Sequence, residues 1–99
     1  MPSLALRIAS DHPAFAGHFP GRPIVPGVLL LDTAVLALES AAGVVTQGLA
    51  AAKFLSPALP GEALTLDYEL DGAALRFEIR CDTRKVVSGR FDVAPLASP

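Results

Sequence analysis

The segment between Gly27 and Gly43 constrains the fold most, because it has the length and composition of one long and almost wholly apolar helix. Leucine and alanine, both good helix formers, dominate it, Pro26 suits its first turn and Gly43 is a suitable stop. About 16 residues give a helix of roughly 24 Å at ~1.5 Å rise per residue. Its polar residues are Asp32, Thr33, Glu39 and Ser40. A helix that is apolar nearly all round must be covered nearly all round, so the sequence predicts a central helix.

The segment before this helix, residues 10–27, contains four prolines and three glycines. These residues exclude a long helix and a central strand, and each proline fixes its own φ angle. We therefore expect an ordered loop with a largely predetermined path. Loops of this kind often carry functional residues, because a rigid scaffold holds them in place.

The remaining chain is predicted to be mostly sheet. Residues 4–9 have the period-2 pattern that is typical of a β-strand. Two further strands outside the hairpin described next are predicted at residues 48–55 and 85–93. Residues 94–99 are expected to be a frayed tail.

A hairpin is predicted around Asp71-Gly72, which is a strong signal for a two-residue loop. With this pair as the loop, Leu66 on the first strand faces Phe77 on the second. The same register sets Asp67 opposite Arg76, so that apolar side chains meet apolar ones and charge meets countercharge.

One helix and about five mostly antiparallel strands place the chain in the α+β class, with the sheet wrapped around the helix. The chain has 99 residues, so we expect residues 1–99 to form a single domain. Apolar residues are 52% of the chain. A monomer of this size buries only about two-thirds of its unfolded surface, so we expect some apolar surface to lie in a subunit interface.

Composition and charge argue against several classes of protein. Eight basic residues against ten acidic ones give a net charge of −2, which argues against a nucleic-acid binder. A single cysteine, Cys81, excludes an internal disulfide and a cysteine-based zinc site, and it fits the cytoplasm. We expect no secretory signal, because the polar run at residues 11–13 interrupts the start of the chain. We also expect no membrane span, because Asp32 breaks the most apolar stretch, residues 28–38.

Both histidines of the chain lie in the proline-rich segment. His18 is braced by Gly17 before it and by Phe19-Pro20-Gly21 after it. A histidine in this context fits either a general base or a ring satisfied by backbone hydrogen bonds in a tight loop. His12 lacks this bracing, so we interpret it as a surface or loop-supporting residue.

Asp32 and Gly27 are the other candidates for chemistry. Asp32 lies about six residues into the helix, so N-capping cannot explain it, and a carboxylate among apolar residues is costly unless it is paired or hydrated. Glu39 lies on nearly the same helix face, so a narrow solvated stripe is the alternative to a functional acid. Gly27 begins the helix, where its backbone N–H can stabilise a developing oxyanion, although many helix starts have this form and bind nothing.

The run from Gly17 to Asp32, Gly-His-Phe-Pro-Gly-Arg-Pro-Ile-Val-Pro-Gly-Val-Leu-Leu-Leu-Asp, closely resembles the signature of the 3-hydroxyacyl-[acyl-carrier-protein] dehydratases of fatty acid synthesis. The run from Lys53 to Glu62 also resembles the strand and turn that follow the helix in that family. The resemblance covers roughly residues 11 to 93. It implies the hot-dog fold, in which an antiparallel sheet wraps around one long central helix.

The family's active histidine corresponds to His18 and its active acid, glutamate or aspartate, to Asp32. The resemblance implies that His18 takes a proton from C2 of a 3-hydroxyacyl thioester and that Asp32 protonates or orients the leaving 3-hydroxyl group. It implies that the Gly27 N–H polarises the thioester carbonyl. The further substrate-binding residues that it implies are Phe19, Pro26 and Val28.

The resemblance also implies that acyl carrier protein bears the substrate and that no metal or organic cofactor is needed. The histidine and the acid of one site would come from different subunits of a homodimer or of a higher even homo-oligomer. Carrier proteins are acidic, and a chain with a net charge of −2 needs a local basic cluster to attract them. Arg22 is the first candidate for that docking cluster, followed by Lys53 and Arg84.

Two other functions stay open. Hot-dog thioesterases use a helix carboxylate to activate water against the same kind of thioester, although they do not usually carry the Gly-His-Phe-Pro-Gly loop. A non-catalytic acyl-binding or scaffolding subunit is compatible with the short chain and with Leu36, which stands where the dehydratases commonly have a glutamine.

Overall fold

The computed structural model describes residues 2–8 and 24–96, in which one helix lies against a five-stranded antiparallel sheet. The elements in chain order are β1 (Ser3–Arg7), α1 (Gly27–Ala42), β2 (Val44–Phe54), β3 (Ala63–Asp71), β4 (Ala74–Cys81) and β5 (Arg84–Pro95). The strand order across the sheet is β1-β3-β4-β5-β2, and every neighbouring pair is antiparallel. The predicted α+β class is confirmed.

The helix ends where the sequence predicts. Gly43 has a φ of 67°, a left-handed conformation that glycine adopts without strain, and its N–H donates to the Glu39 carbonyl at 3.1 Å. Pro26 lies at the N-cap position rather than in the first turn, and its carbonyl accepts the Leu30 N–H at 3.1 Å. Within the described ranges, no helix is long and apolar enough to cross a membrane.

The sheet covers only one side of α1. Leu30, Ala34 and Leu38, spaced four residues apart, form the buried stripe of the helix. Val28 and Leu36 are each 71% exposed on another side. The sheet of a single chain therefore covers one stripe of the helix only, which agrees with the expectation that further apolar surface lies in a subunit interface.

The core between helix and sheet contains a stacked aromatic pair. Phe77 on β4 and Phe91 on β5 lie with ring centroids 4.8 Å apart and an angle of 18° between the rings. A Cβ atom at Gly89 would lie 2.8 Å from the Phe77 ring and would also collide with the Ala51 carbonyl oxygen. Glycine at this position therefore lets the ring lie over the β5 backbone.

The predicted hairpin between β3 and β4 exists, but its predicted register is wrong. Asp71 pairs with Ala74, so the loop is Gly72-Ala73 rather than Asp71-Gly72. Gly72 has a φ of 61°, and neither Asp71 nor Ala73 has a positive φ. The observed turn needs a positive φ only at its first loop position, and glycine occupies that position. The predicted turn would need a positive φ at Asp71 as well as at Gly72.

The shift leaves the apolar face of the hairpin intact but changes the partner of Asp67. Asp67 lies opposite Glu78, not opposite Arg76 as predicted. The Asp67 carboxylate instead accepts a hydrogen bond from Nε of Arg80, its diagonal neighbour on β4, at 2.8 Å. It also accepts one from the Ser3 hydroxyl on β1. The Arg80 guanidinium and the Ser3 hydroxyl hold the pKa of the Asp67 carboxyl below its usual value.

Strands β2 and β5 are longer than predicted. Strand β2 starts at Val44, because the left-handed Gly43 turns the chain directly from the helix into the sheet. The Thr46 N–H donates to the Glu39 carboxylate at 2.8 Å, which joins the new strand to the end of the helix. Strand β5 continues to Pro95, which pairs with Val44, so the first two residues of the predicted frayed tail belong to the sheet.

Gly89→Ala should lower the free energy of unfolding by about 1–3 kcal/mol, because the added methyl group overpacks the Phe77 ring. Gly48→Ala is the matched control, since it lies on the neighbouring strand β2 and a Cβ there meets nothing within 4 Å. Urea denaturation at one protein concentration measures both variants. Equal losses in the two variants would contradict the packing role of Gly89.

Asp67→Asn should cost stability at neutral pH and progressively less in acid. The pKa of Asp67 is lowered in the folded protein, so its contribution is fully present above the unfolded value of 3.8 and is lost as the pH falls through the folded pKa. Urea denaturation of both proteins between pH 7 and pH 2 measures the difference in unfolding free energy. A difference that stays constant with pH would contradict the ion pair with Arg80.

Candidate active site at the start of the helix

The described residues contain only part of the predicted site. His18, His12, Phe19 and Arg22 lie outside them, so their predicted roles stay predictions. The predicted site residues that the structure places are Pro26, Gly27, Val28 and Asp32.

The start of α1 presents backbone N–H groups that the helix does not use. The first intrahelical bond runs from the Leu30 N–H to the Pro26 carbonyl, so the N–H groups of Gly27, Val28 and Leu29 have no partner within the helix. Among the described residues no side chain caps this end, and its first turn carries no acidic residue. The helix dipole adds a partial positive charge here, so this end suits a developing negative charge.

A partly open cavity of about 330 Å³ adjoins this helix start. The residues that line it are Ile24, Val25, Gly27, Leu30, Phe54, Leu55, Ser56, Pro57 and Ala58. Of the described residues that line it, only Ser56 has a polar side chain, and its hydroxyl donates to the Lys85 carbonyl at 2.6 Å. An apolar cavity beside oriented N–H donors fits a ligand with an apolar chain and one polar oxygen.

Phe54, at the end of β2, gives Gly27 a second role that the sequence did not indicate. A Cβ atom at Gly27 would lie 2.8 Å and 2.9 Å from two carbons of the Phe54 ring. Glycine therefore allows the ring to lie directly over the helix start, while 52% of the Phe54 residue surface stays exposed. The sequence pointed to Phe54 only through its place in the run from Lys53 to Glu62 that resembles the family. Nothing in that run indicated that Phe54 contacts the helix.

Asp32 does not lie in this cavity within one chain. It is exposed, in line with Val28 and Leu36, which lie four residues before and after it on the uncovered stripe of the helix. The expectation of a carboxylate embedded among apolar side chains is therefore wrong for the single chain. Glu39 differs from it, because it accepts the Thr46 N–H and so has a structural role.

The two further docking candidates differ in their surroundings. Lys53 is exposed beside the cavity. Arg84 donates to the carboxylate of Glu62 and to the loop that lines the cavity, so its guanidinium is engaged by groups of its own chain, and its docking role stays a prediction.

Comparison with known proteins places the chain in a family. The family model described as ApeI dehydratase matches residues 2–90. The curated 3-hydroxyacyl-[acyl-carrier-protein] dehydratase FabZ of Chlamydia trachomatis serovar L2 is 38% identical over 73 residues, which are 63% of this chain and 48% of that protein. The FabZ of Acidovorax sp. is 38% identical over 80 residues, 65% of this chain and 52% of that protein. The chain thus spans about half the length of the curated relatives it matches.

Solved structures extend the likeness to nearly the whole chain. An uncharacterized protein from Erwinia carotovora subsp. atroseptica is 31% identical, with a TM-score of 0.78 over 95% of this chain and 82% of that one. The dehydratase heterocomplex ApeI:P from Xenorhabdus doucetiae is 26% identical, with a TM-score of 0.79 over 93% and 85% of the two chains. The fluoroacetyl-CoA thioesterase FlK, at 15% identity and a TM-score of 0.62 over 95% and 88%, shares the fold alone. The predicted hot-dog fold is confirmed, and the chain belongs to the ApeI-like dehydratase family.

Proposed function

We propose that this protein removes water from a 3-hydroxyacyl thioester on acyl carrier protein, leaving the trans-2-enoyl thioester, in fatty acid or related polyene- or polyketide-type lipid synthesis. The observation that carries the proposal is the helix start at Gly27, where N–H groups that the helix itself does not use adjoin an apolar cavity, downstream of the Gly-His-Phe-Pro-Gly run in the sequence. Membership of a dehydratase family and the names of the FabZ relatives support the same reaction.

The proposed mechanism uses three groups of this chain. His18 takes the proton from C2, and the negative charge that develops on the thioester oxygen is stabilised by the Gly27 N–H. Electrons from C2 then form the double bond to C3 as the C3–O bond breaks. Asp32 donates a proton to the departing hydroxyl, which leaves as water. These steps are proton transfers, so the proposal includes no metal and no organic cofactor.

The proposed site is shared between two copies of the chain in a homodimer or a higher even homo-oligomer. Asp32 points away from its own cavity, in the middle of an apolar stripe that the sheet does not cover. Strand β2 is an edge strand whose exposed apolar residues include Val45 and Leu49. A second copy packed on this stripe would cover it and bring Asp32 into apolar surroundings at the partner's His18.

The proposed carrier of the substrate is acyl carrier protein. Its acidic surface requires a local basic cluster on a chain with a net charge of −2. Arg22 remains the first docking candidate and the exposed Lys53 the second. The free thiol of Cys81 accords with the cytoplasmic location that we propose.

A thioesterase is the second candidate, because FlK and a probable thioesterase from Bartonella henselae share the fold. A thioesterase would attack the thioester carbonyl with water and release a free thiol. A dehydratase leaves the thioester bond intact and produces a conjugated double bond, whose absorbance distinguishes the two reactions.

Asp32→Asn should lower kcat by about 10²–10⁴-fold, because a positioned general acid typically contributes that much. Its folding should not change, because Asp32 is exposed in the single chain. Enoyl thioester absorbance and a thermal melt measure the two effects. Glu39→Gln is the control on the same helix, and it should affect stability through Thr46 rather than turnover. Full turnover in Asp32→Asn would refute the assigned role.

A shared site also predicts complementation between two inactive variants. His18→Ala and Asp32→Ala homodimers should both be inactive, whereas a mixed dimer has one site with both lesions and one intact site. Random exchange makes half of the dimers mixed, so about a quarter of wild-type activity should return. Co-expression with two different tags allows the mixed dimers to be isolated and assayed. Isolated mixed dimers without activity would show that both residues come from one chain.

A further inference from the structure

One wall of the cavity is formed by the loop between β2 and β3, residues 55–62. Among the described residues, four backbone hydrogen bonds tie it to the rest of the protein, one of them from the Gly61 N–H to the Ile8 carbonyl at 3.0 Å. The N–H groups of Leu55 and Ser56 donate to the Val86 carbonyl at 2.8 Å and 3.3 Å. The Val25 N–H, just before the helix, donates to the Ala58 carbonyl at 2.8 Å, so this loop sets one side of the approach to the helix start.

Arg84, the first residue of β5, binds this loop at three places. Its Nη2 donates to both carboxylate oxygens of Glu62, at 3.0 Å and 2.8 Å. Its Nη1 donates to the Ser56 hydroxyl at 3.2 Å and to the Pro57 carbonyl. One planar guanidinium therefore joins the cavity-lining part of the loop to the far end of the same loop, which an ammonium group cannot do with comparable geometry.

Glu62 completes the network from inside the loop. Its carboxylate also accepts the Leu59 N–H at 2.6 Å and the Cys81 thiol at 3.3 Å. The Leu59 N–H and the Arg84 guanidinium lower the pKa of Glu62, so the pair is charged at neutral pH.

We infer that Arg84, through Glu62, Ser56 and Pro57, is a positioning residue that fixes the cavity wall opposite the Gly27 N–H, and we name this group the Arg84 latch. The inference rests on the proposed function for its catalytic consequence. Arg84 contacts the cavity-lining residues Ser56 and Pro57 but is not itself among the described residues that line the cavity, so it acts through the loop.

The latch should matter more for positioning than for overall stability. The Arg84 and Glu62 side chains are 41% and 22% exposed, and ion pairs this exposed contribute little to the stability of a fold. The loop, however, sets where the acyl chain lies relative to the helix start. Small displacements of a bound substrate can cost large factors in rate, because few bound molecules then have the reactive geometry.

A second arginine of the chain provides a matched control. Arg80 forms an ion pair of the same 2.8 Å length with Asp67, at 35% and 16% side-chain exposure. Neither Arg80 nor Asp67 lines the cavity. Arg80→Ala and Arg84→Ala therefore remove similar ion pairs from different places.

Arg84→Ala should lower kcat for a 3-hydroxyacyl thioester by about tenfold, with KM within about threefold, whereas Arg80→Ala should leave both constants within about twofold. Both variants should melt within about 5 °C of wild type. Arg84→Lys should restore part of the lost kcat, because its ammonium pairs with Glu62 but cannot also reach Ser56 and Pro57. Equal kcat in Arg84→Ala and Arg80→Ala would overturn the inference.

Amide hydrogen exchange tests the latch without any substrate. The Val25 and Leu59 amides, which donate to Ala58 and Glu62, should exchange at least about tenfold faster in Arg84→Ala than in Arg80→Ala, as followed by NMR. Unchanged exchange at both amides in Arg84→Ala would overturn the latch. If wild type fails to dehydrate the thioester but these amides respond as expected, the proposed function fails and the latch stands.

Discussion

Burial of one stripe of α1 against the sheet is the interaction on which the rest of the structure depends. Leu30 and Leu38 lie in that stripe, and burying each side chain contributes roughly 1.5–3 kcal/mol. Because the helix is rigid, this choice of stripe also decides what points away from the sheet. It leaves Asp32 between two exposed apolar side chains, and it leaves the Gly27 end beside the cavity. Within one chain, the fold therefore keeps the Asp32 carboxylate apart from the cavity at the Gly27 helix start.

Local signals predicted the elements well, because each depends on residues close in sequence. Gly43 and the proline-rich segment bound the helix, and the alternation of apolar and polar residues marks β1, β3 and β4. The β3–β4 register was harder, since Asp71-Gly72 and Gly72-Ala73 both place a glycine in the loop. The start of β2 was missed because Gly43 reverses the chain without any intervening loop residue. The predictions therefore failed where the same residues are compatible with two adjacent turn positions or with two different strand starts.

The candidate site was predictable only in part, because its main contacts join residues far apart in sequence. Gly27 could be identified from its place at the helix start. The Phe54 ring over it, and the Arg84 contacts that hold the cavity wall, depend on how β2 and β5 meet in the sheet. The sequence left the exposure of Asp32 open, since both a functional acid and a narrow solvated stripe fitted its place in the helix, and only the packed structure selects the buried stripe.

The helix start at Gly27 is the part of the structure that we propose serves the dehydration of a carrier-bound thioester. Intact-protein mass spectrometry of an acyl carrier protein loaded with a 3-hydroxyacyl group, incubated with the purified protein, tests this proposal most directly. The loaded carrier should lose the mass of one water molecule and keep its acyl group. Loss of the whole acyl group, leaving the free pantetheine thiol, would contradict it and indicate a thioesterase, and an unchanged mass would contradict it and indicate a binding subunit.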